Sequence, residues 1–203
     1  MTTQPRRGAF PNSCARRYSD ALMEIDPATL DANASYRLLT SCVAPRPLAL
    51  ISTLSKAGVS SLGPFSYFNG VSSTPPIVAV AVNPSRGGKK PTCVNIEETR
   101  EFVVSLGLGE VSYDRIATLP WEASSRVRPK RVAGAPVHLE CGLHGIVEIE
   151  GGTSLVLGRV LLVAVRDDVV KDLQADPRKI DWVGVVGASS TVRVSDIFER
   201  ARE

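Results

Sequence analysis

The residues best suited to bind an anion lie in one short segment, Arg86-Gly87-Gly88-Lys89-Lys90-Pro91-Thr92. Its glycines let the backbone approach a ligand closely, and its basic side chains supply positive charge. A helix is predicted to begin at Thr92, and the first amides of a helix favour a phosphate. The segment therefore predicts a phosphate site, with an ordinary solvated basic loop as the commoner alternative. A second basic cluster has the same two interpretations; it contains Arg126, Arg128, Lys130 and Arg131.

Hydroxyl side chains form a second group of candidates, on a predicted hairpin just before this segment. They are Ser52, Thr53, Ser60, Ser61, Ser66, Ser72 and Ser73. Hydroxyls both donate and accept hydrogen bonds, but serine and threonine are common in any β-hairpin. A cofactor that carries its own reactivity would let such ordinary residues take part in catalysis.

The histidines and paired carboxylates are weaker candidates. His138 and His144 alternate with apolar residues on a predicted strand, so we expect both on its solvent face, beside Glu140 and Glu148. Exposed cross-strand pairing is the expected role, which disfavours hydrolysis through a nucleophile and a histidine. Asp167-Asp168 follows a strand, where a turn is the expected role.

The four cysteines, Cys14, Cys42, Cys93 and Cys141, contain no C-x-x-C pair, which argues against a zinc cluster or a thioredoxin-like motif. We expect free thiols in a reducing, cytoplasmic setting. Cys141 is predicted to be buried and inert. Cys93 lies near a predicted helix start, where a reactive thiolate is the alternative to a buried thiol. The sequence also lacks the glycine-rich dinucleotide, P-loop and H-E-x-x-H motifs.

Length and charge exclude several classes of protein. The 203 residues are 43% hydrophobic, which is enough for a folded core without disulfides or a structural metal. The formal net charge is +3, and two of these charges belong to residues 1–25, so the remainder has no global field for nucleic acid. No apolar run suggests a secretory signal or a membrane span. We predict an N-terminal extension at 1–24 and one domain at 25–203.

Turn residues and apolar runs predict the elements that position these groups. A helix is expected after Asp26-Pro27, and a long loop from Trp121 to Pro136. Strands are expected at 48–54, 59–69, 77–82, 101–106, 138–150 and 154–166. The last strand is mostly apolar on both faces and is expected to lie deeper than the strand at 138–150 that it pairs with. Hairpins join most of these strands, which favours an antiparallel barrel over a parallel sheet.

Several motifs occur together in a recognisable order. They are Tyr36-Arg37-Leu38-Leu39, Pro45-Arg46-Pro47-Leu48-Ala49-Leu50-Ile51-Ser52-Thr53, Gly63-Pro64-Phe65-Ser66-Tyr67-Phe68-Asn69, Thr74-Pro75-Pro76-Ile77-Val78, Lys90-x-Thr92 followed by Asn95-Ile96, Leu139-Glu140-Cys141 and Leu157-Gly158-Arg159-Val160. Together they resemble the flavin reductase-like, FMN-binding split-barrel family, over about residues 25–198.

The resemblance implies a mainly β fold, a six-stranded antiparallel split barrel with short peripheral helices. It implies a homodimer with FMN, or alternatively FAD, near the subunit interface. The implied activity is reduction of flavin by NAD(P)H, with the product passed to a separate oxygenase. Two alternatives remain: a bound FMN that acts directly on a specific small molecule, and a flavin- or haem-binding protein without turnover.

The resemblance also assigns cofactor-binding residues. Arg46, Lys90 and Thr92 would hold the phosphate end, while the isoalloxazine ring and ribityl chain would be lined by Ser52, Thr53, Ser66, Tyr67 and Phe68. Because Tyr67 and Phe68 alternate on a strand, one of them is expected to belong to the core.

The chain departs from the family pattern at three places. Lys90-Pro91-Thr92 replaces the usual Lys-Asp-Thr, and Ser61-Leu62-Gly63 replaces Asn-Leu-Ala. Near the C-terminus, Val185-Val186-Gly187-Ala188 and then Thr191 stand where relatives often have Arg-x-Gly-Gly and then Tyr. The substrate side of the site therefore differs most from the family pattern.

Overall fold

A computed structural model of the chain describes residues 21–198, so most of the predicted extension lies outside the described residues. The helices are α1 (Ala32–Cys42), α2 (Pro91–Thr99) and α3 (Tyr113–Ile116). The strands are β1 (Arg46–Pro47), β2 (Ala49–Leu54), β3 (Ser60–Phe65), β4 (Phe68–Ser73), β5 (Pro76–Val82), β6 (Glu101–Leu106), β7 (Trp121–Glu122), β8 (Arg131–Val132), β9 (Val137–Ile149), β10 (Thr153–Val165), β11 (Val170–Lys171), β12 (Gln174–Ala175), β13 (Val183–Val186) and β14 (Ser190–Arg193).

The predicted helical region after Asp26-Pro27 contains two elements. Asp26 caps a single 3-10 turn, Pro27–Thr29, by accepting a hydrogen bond from the Ala28 amide at 2.9 Å. Helix α1 begins after Asp31, whose carboxylate accepts from the Ala34 amide at 2.7 Å.

The main sheet has the strand order β3-β2-β6-β9-β10-β5-β4, and all neighbouring strands are antiparallel. The antiparallel, mainly β architecture is therefore confirmed. The expected count of six strands is wrong, since this sheet has seven, and no ladder closes it between its edge strands β3 and β4. The cause is a bend at Ser66-Tyr67, which divides the predicted strand 59–69 and sends its halves to opposite edges of the sheet.

The main core is built from side chains of this sheet and of α2. Its most deeply buried side chains include Ile51, Val80, Phe102, Val104 and Val156, all on strands. Phe102 needs Gly158 opposite it on β10, because a Cβ at that glycine would collide with the phenyl ring. The apolar runs that predicted β5 and β6 are thus the residues that hold the sheet together.

The outer face of β9 differs from its predicted exposure. His138 is 4% exposed and Glu140 is fully buried, so their predicted solvent-facing roles are wrong. Residues 121–136, predicted to be only a loop, contain the β7–β8 hairpin and cover this end of the strand. His144 further along is exposed, as predicted.

Strand β10 is also less buried than its composition predicted. Leu161 and Val163 are about half exposed, at 48% and 54%. The expectation that β10 lies deeper than β9 therefore holds only for the first half of β10, where buried and partly buried residues alternate beside the exposed end of β9.

The buried carboxylate of Glu140 holds the covering segment onto β9. It accepts hydrogen bonds from the amides of Ser125 at 2.8 Å and Arg126 at 2.5 Å, and from Arg131 Nε at 2.8 Å. Burial by itself raises the pKa of Glu140, but these donors outweigh it and hold that pKa below its usual range. The carboxylate is therefore charged at neutral pH and satisfied on both oxygens.

We predict that Glu140→Gln lowers the free energy of unfolding by about 3 kcal/mol at pH 7, because it removes the buried carboxylate from the ion pair with Arg131. Urea unfolding measures this, with the exposed Glu150→Gln as the matched control. Since the fold depresses the pKa of Glu140, its stabilisation is present above the ordinary carboxyl pKa and is lost as the pH falls through the folded value. The deficit of the variant should therefore shrink in acid. Equal stability of E140Q and wild type at pH 7 would contradict this account.

Candidate functional site

A small polar cleft opens where the Ser66-Tyr67 bend passes the end of β5 and the start of α2. Its volume is about 150 Å³. Its lining residues come from five parts of the chain and are Tyr36, Leu48, Pro64, Phe65, Ser66, Tyr67, Ala81, Asn83 and Lys90. The cleft thus brings together Ser66, Tyr67 and Lys90 from the predicted site.

The bend places Tyr67 and Phe68 on different sides. The Tyr67 carbonyl accepts from the Ala81 amide at 2.9 Å, which fastens the bend to β5. Tyr67 lines the cleft, whereas Phe68 packs against the main core, as alternation predicts for one of the two. Burial raises the pKa of the Tyr67 phenol, which therefore keeps its proton at neutral pH and can donate a hydrogen bond.

Lys90 stands at the start of α2, where a helix attracts negative charge. It is the N-cap residue and makes no side-chain cap, and Pro91 occupies the first helical position, where an amide would have no helical partner. Lys90 Nζ lies 5.7 Å from the centre of the Phe65 ring. No ion pair of Lys90 occurs within residues 21–198. Thr92 is buried in the first turn behind it.

Lys89, the neighbouring cation, is in a different situation. Its ammonium group pairs with Glu97 and, at 2.7 Å, with Glu148. Hydrogen bonds to Glu148 and Glu97 raise the pKa of Lys89 well above its usual range. Lys90 and the exposed Arg86, rather than Lys89, are therefore the cations that this loop offers to a ligand, and Lys90 is the one of the two that lines the cleft.

Arg46 does not present its charge to the cleft. Its side chain is buried and donates to the carbonyls of Thr40, Val43 and Gly187 at 2.5, 2.7 and 2.8 Å. The expected role of this residue at a phosphate does not fit these contacts.

Ser52 and Thr53 also lie away from the cleft, each only 1% exposed. Ser52 Oγ donates to the Lys130 carbonyl at 2.5 Å, and Thr53 Oγ1 accepts from Asn95 Nδ2 at 2.9 Å. These two hydroxyls join β2 to the segments that cover it. The structure does not bring them to the predicted ring site.

Sequence reasoning missed Tyr36, Leu48 and Asn83 as cleft residues. The first two belong to the recognised motifs, but nothing in their spacing indicates that α1 and β1 meet the bend. Asn83 directly follows β5, and its side-chain oxygen accepts from Thr153 Oγ1 at 3.0 Å. That position at a strand end is the signal that could have identified it.

Leu48 also lines a second, largely apolar cavity of about 250 Å³ on its other side. Its walls include Leu50, Phe68, Leu106, Leu108, Val111 and Trp182. Asp181 is the one charged residue that lines it, and this carboxylate is paired with Arg193 at 2.9 Å. The polar cleft and the apolar cavity are therefore separated by Leu48 and the bend.

The described cysteines are not placed for chemistry. Burial raises the pKa of Cys93, and it raises that of Cys141 to about 12. Cys93 is 1% exposed, which favours a buried, unreactive thiol over a reactive thiolate. Within residues 21–198 there is no cluster of three or more metal-ligating side chains and no helix long and apolar enough to span a membrane.

The chain belongs to the flavin reductase like domain family, which it matches over residues 41–182. An uncharacterized protein of Halalkalibacterium halodurans is 32% identical over 89% of this chain and 96% of its own length. Among solved structures, nitrilotriacetate monooxygenase component B from Bacillus cereus is similar with a TM-score of 0.83 and 26% identity, covering 89% of this chain and all of that one. The 2-nitrobenzoate 2-nitroreductase of Pseudomonas fluorescens shares the fold, with a TM-score of 0.78 and 24% identity over 89% of this chain and 96% of that one.

We predict that iodoacetamide at pH 8 labels Cys42 in the folded protein, whereas Cys93 and Cys141 are labelled only after urea unfolding. Cys42 is exposed, while the other two thiols are buried and hold their protons. Mass mapping of the labelled peptides measures this, with the unfolded protein as the control for intrinsic reactivity. Labelling of Cys93 at the rate of Cys42 in the folded protein would restore the reactive-thiol interpretation.

Proposed function

We propose that the protein is an FMN-dependent oxidoreductase that binds its flavin in the polar cleft. One observation carries this proposal: the cleft joins an unpaired lysine at a helix start to a bend that presents a hydroxyl and an aromatic ring. This order of groups suits a molecule with a phosphate at one end and a planar ring at the other. Membership of a flavin-reductase-like family supports the same conclusion.

The phosphate end would be held by Lys90 and the first turn of α2. Lys90 supplies a full charge, and the helix start adds amides and the positive end of the dipole. Thr92 lies in that turn with a hydroxyl that can donate. Pro91 removes an amide only at a position without a helical partner, so the departure from Lys-Asp-Thr leaves the helix start usable.

The ring and ribityl end would be positioned by Ser66 and Tyr67. The Ser66 hydroxyl can donate or accept, and the protonated Tyr67 phenol can donate. Leu48 lines the cleft and Phe68 packs against the core beside it, so this side of the cleft is apolar. A bound flavin supplies the hydride and electron chemistry through its own ring, so the protein contributes binding, orientation and an apolar surface beside the ring.

NAD(P)H is the proposed reductant, and a separate oxygenase is the proposed acceptor of reduced flavin. The similarity to a monooxygenase component B supports a two-component arrangement. FAD is the alternative flavin. A cytoplasmic location remains part of the proposal, in keeping with the free thiols of Cys42, Cys93 and Cys141.

A second candidate function is favoured by the apolar cavity beside the cleft. A flavin that stays bound could act directly on a small molecule seated against Phe68 and Trp182. Apolar walls with few polar groups are typical of small-molecule sites. Both functions share the flavin cleft and differ in whether the flavin leaves it.

A homodimer is also part of the proposal. Apolar side chains remain exposed on α1 and at its C-cap: Tyr36, Leu39 and Val43. Their spacing places them on one side of the helix, and a partner subunit would cover this side. A second copy over α1 would cover the side of the cleft that Tyr36 lines.

We predict that the purified protein binds FMN and accelerates the oxidation of NADH or NADPH when FMN is supplied. The visible spectrum and the loss of nicotinamide absorbance measure the two properties. Release of reduced flavin supports the reductase, whereas tight flavin that stays bound through turnover supports the second candidate. Bound flavin without nicotinamide oxidation indicates a carrier, and a protein that binds no flavin contradicts the proposal.

We predict that Lys90→Ala weakens FMN binding by about tenfold or more, because a charge-assisted contact to the phosphate is lost. Riboflavin lacks the phosphate, so its affinity should change less than twofold. The matched control is Lys89→Ala, which removes the neighbouring charge but not the proposed contact. Flavin fluorescence titrations measure all these affinities. Unchanged FMN affinity in K90A would reject this assignment.

A further inference from the structure

Arg46 is the most completely engaged cation of the proposed site. It lies on β1, which pairs with β13 so that Arg46 faces Val185. Its side chain is 4% exposed and donates to Thr40 and Val43 at the end of α1 and to Gly187 beyond β13. One guanidinium thus joins the helix to the turn between β13 and β14.

The same guanidinium also touches the bend from behind. Arg46 Nε approaches Ser66 Oγ at 3.5 Å, and the guanidinium carbon lies 5.7 Å from the centre of the Tyr67 ring. A cation over an aromatic face at this distance is attracted to the ring. Arg46 therefore contacts both residues that the bend presents to the cleft.

Arg46 positions a third cleft residue indirectly. The Thr40 carbonyl that it binds belongs to the last turns of α1, and Thr40 Oγ1 donates to the Tyr36 carbonyl at 2.7 Å. Tyr36 also lines the cleft. The guanidinium therefore connects the end of α1 to the bend, and both of these elements contribute residues to the cleft.

These contacts leave few N–H donors of Arg46 for a phosphate. A guanidinium has five N–H donors, and the hydrogen bonds to Thr40, Val43, Gly187 and Ser66 use most of them. Turning it toward an anion would leave buried carbonyls without a donor, which is unfavourable. The unpaired Lys90 meets no such obstacle.

We propose that Arg46 is a positioning residue that holds Ser66 and Tyr67 against the ring and ribityl part of the flavin and does not bind the phosphate. The inference rests on the proposed function, and it reverses the assignment that the family resemblance implies for this residue. Its consequence is that Arg46 supports every flavin that shares the ring, whether or not a phosphate is attached.

Arg46→Lys tests this, because it keeps the charge but loses the planar fork that reaches several carbonyls. We expect FMN and riboflavin affinities to fall together, by about tenfold, with their ratio within twofold of wild type. A fall in FMN affinity alone, the pattern expected of K90A, would overturn the proposal. A wild-type protein that binds neither flavin would instead overturn the proposed function, and the inference with it.

A double variant tests whether Arg46 acts through the bend. Tyr67→Leu removes the ring that the guanidinium contacts, so adding Arg46→Lys should weaken riboflavin binding much less than it does in wild type. Additive losses would show that Arg46 acts independently of Tyr67 and would overturn the proposal.

A measurement on the unaltered protein does not depend on whether any variant folds. Phenylglyoxal modifies accessible guanidinium groups, and peptide mapping reports each arginine separately. We expect the exposed Arg86 and Arg100 to react while Arg46 stays unmodified, both with and without FMN. Reaction of Arg46 in the flavin-free protein, with protection by FMN but not by riboflavin, would place it at the phosphate and overturn the proposal.

Discussion

The bend at Ser66-Tyr67 is the constraint on which the rest of the site depends. It separates β3 from β4 after only two residues, and the two strands then pair at opposite edges of the same sheet. The sheet must curve to bring those edges together, and the bend lies where they meet. The polar cleft is the space between this bend, the end of β5 and the start of α2, so its residues are distant on the sheet but adjacent in space. The Tyr67 carbonyl bonded to Ala81 and the Arg46 guanidinium beneath the ring both act on this one feature.

The hydrogen-bond and ion-pair partners of each basic side chain, rather than its residue type, determine whether it can bind a ligand. Lys89 is held by two carboxylates, Arg131 by the buried Glu140, and Arg46 by backbone carbonyls. Lys90 differs from these three because it has no ion pair within the described chain and lies near the Phe65 ring. The fold therefore separates basic side chains that are held by structural partners from those, such as Lys90, that remain available to a ligand.

The sequence predicts correctly the elements that are determined by a local pattern of residues. The apolar runs of β5 and β6 are set by neighbouring residues, and the structure agrees with them. The failures involve distant partners. His138 and Glu140 are predicted to face solvent because the alternation of polar and apolar residues along a strand does not show that residues 121–136 fold over them. The split of strand 59–69 follows from pairing with β2 and β5 on opposite edges, which the run of residues does not encode locally. Ser66, Tyr67 and Lys90 meet at the cleft, whereas Arg46, Ser52 and Thr53 are buried by contacts that only the tertiary structure reveals.

A crystal structure of the protein grown with FMN tests directly whether the flavin lies in the cleft between the bend and α2. We expect the phosphate within hydrogen-bonding distance of Lys90 Nζ and the isoalloxazine ring beside Ser66 and Tyr67. The Arg46 guanidinium should still be bonded to Thr40, Val43 and Gly187. A flavin bound elsewhere, or a phosphate held by Arg46 with Lys90 turned into solvent, would contradict the proposal.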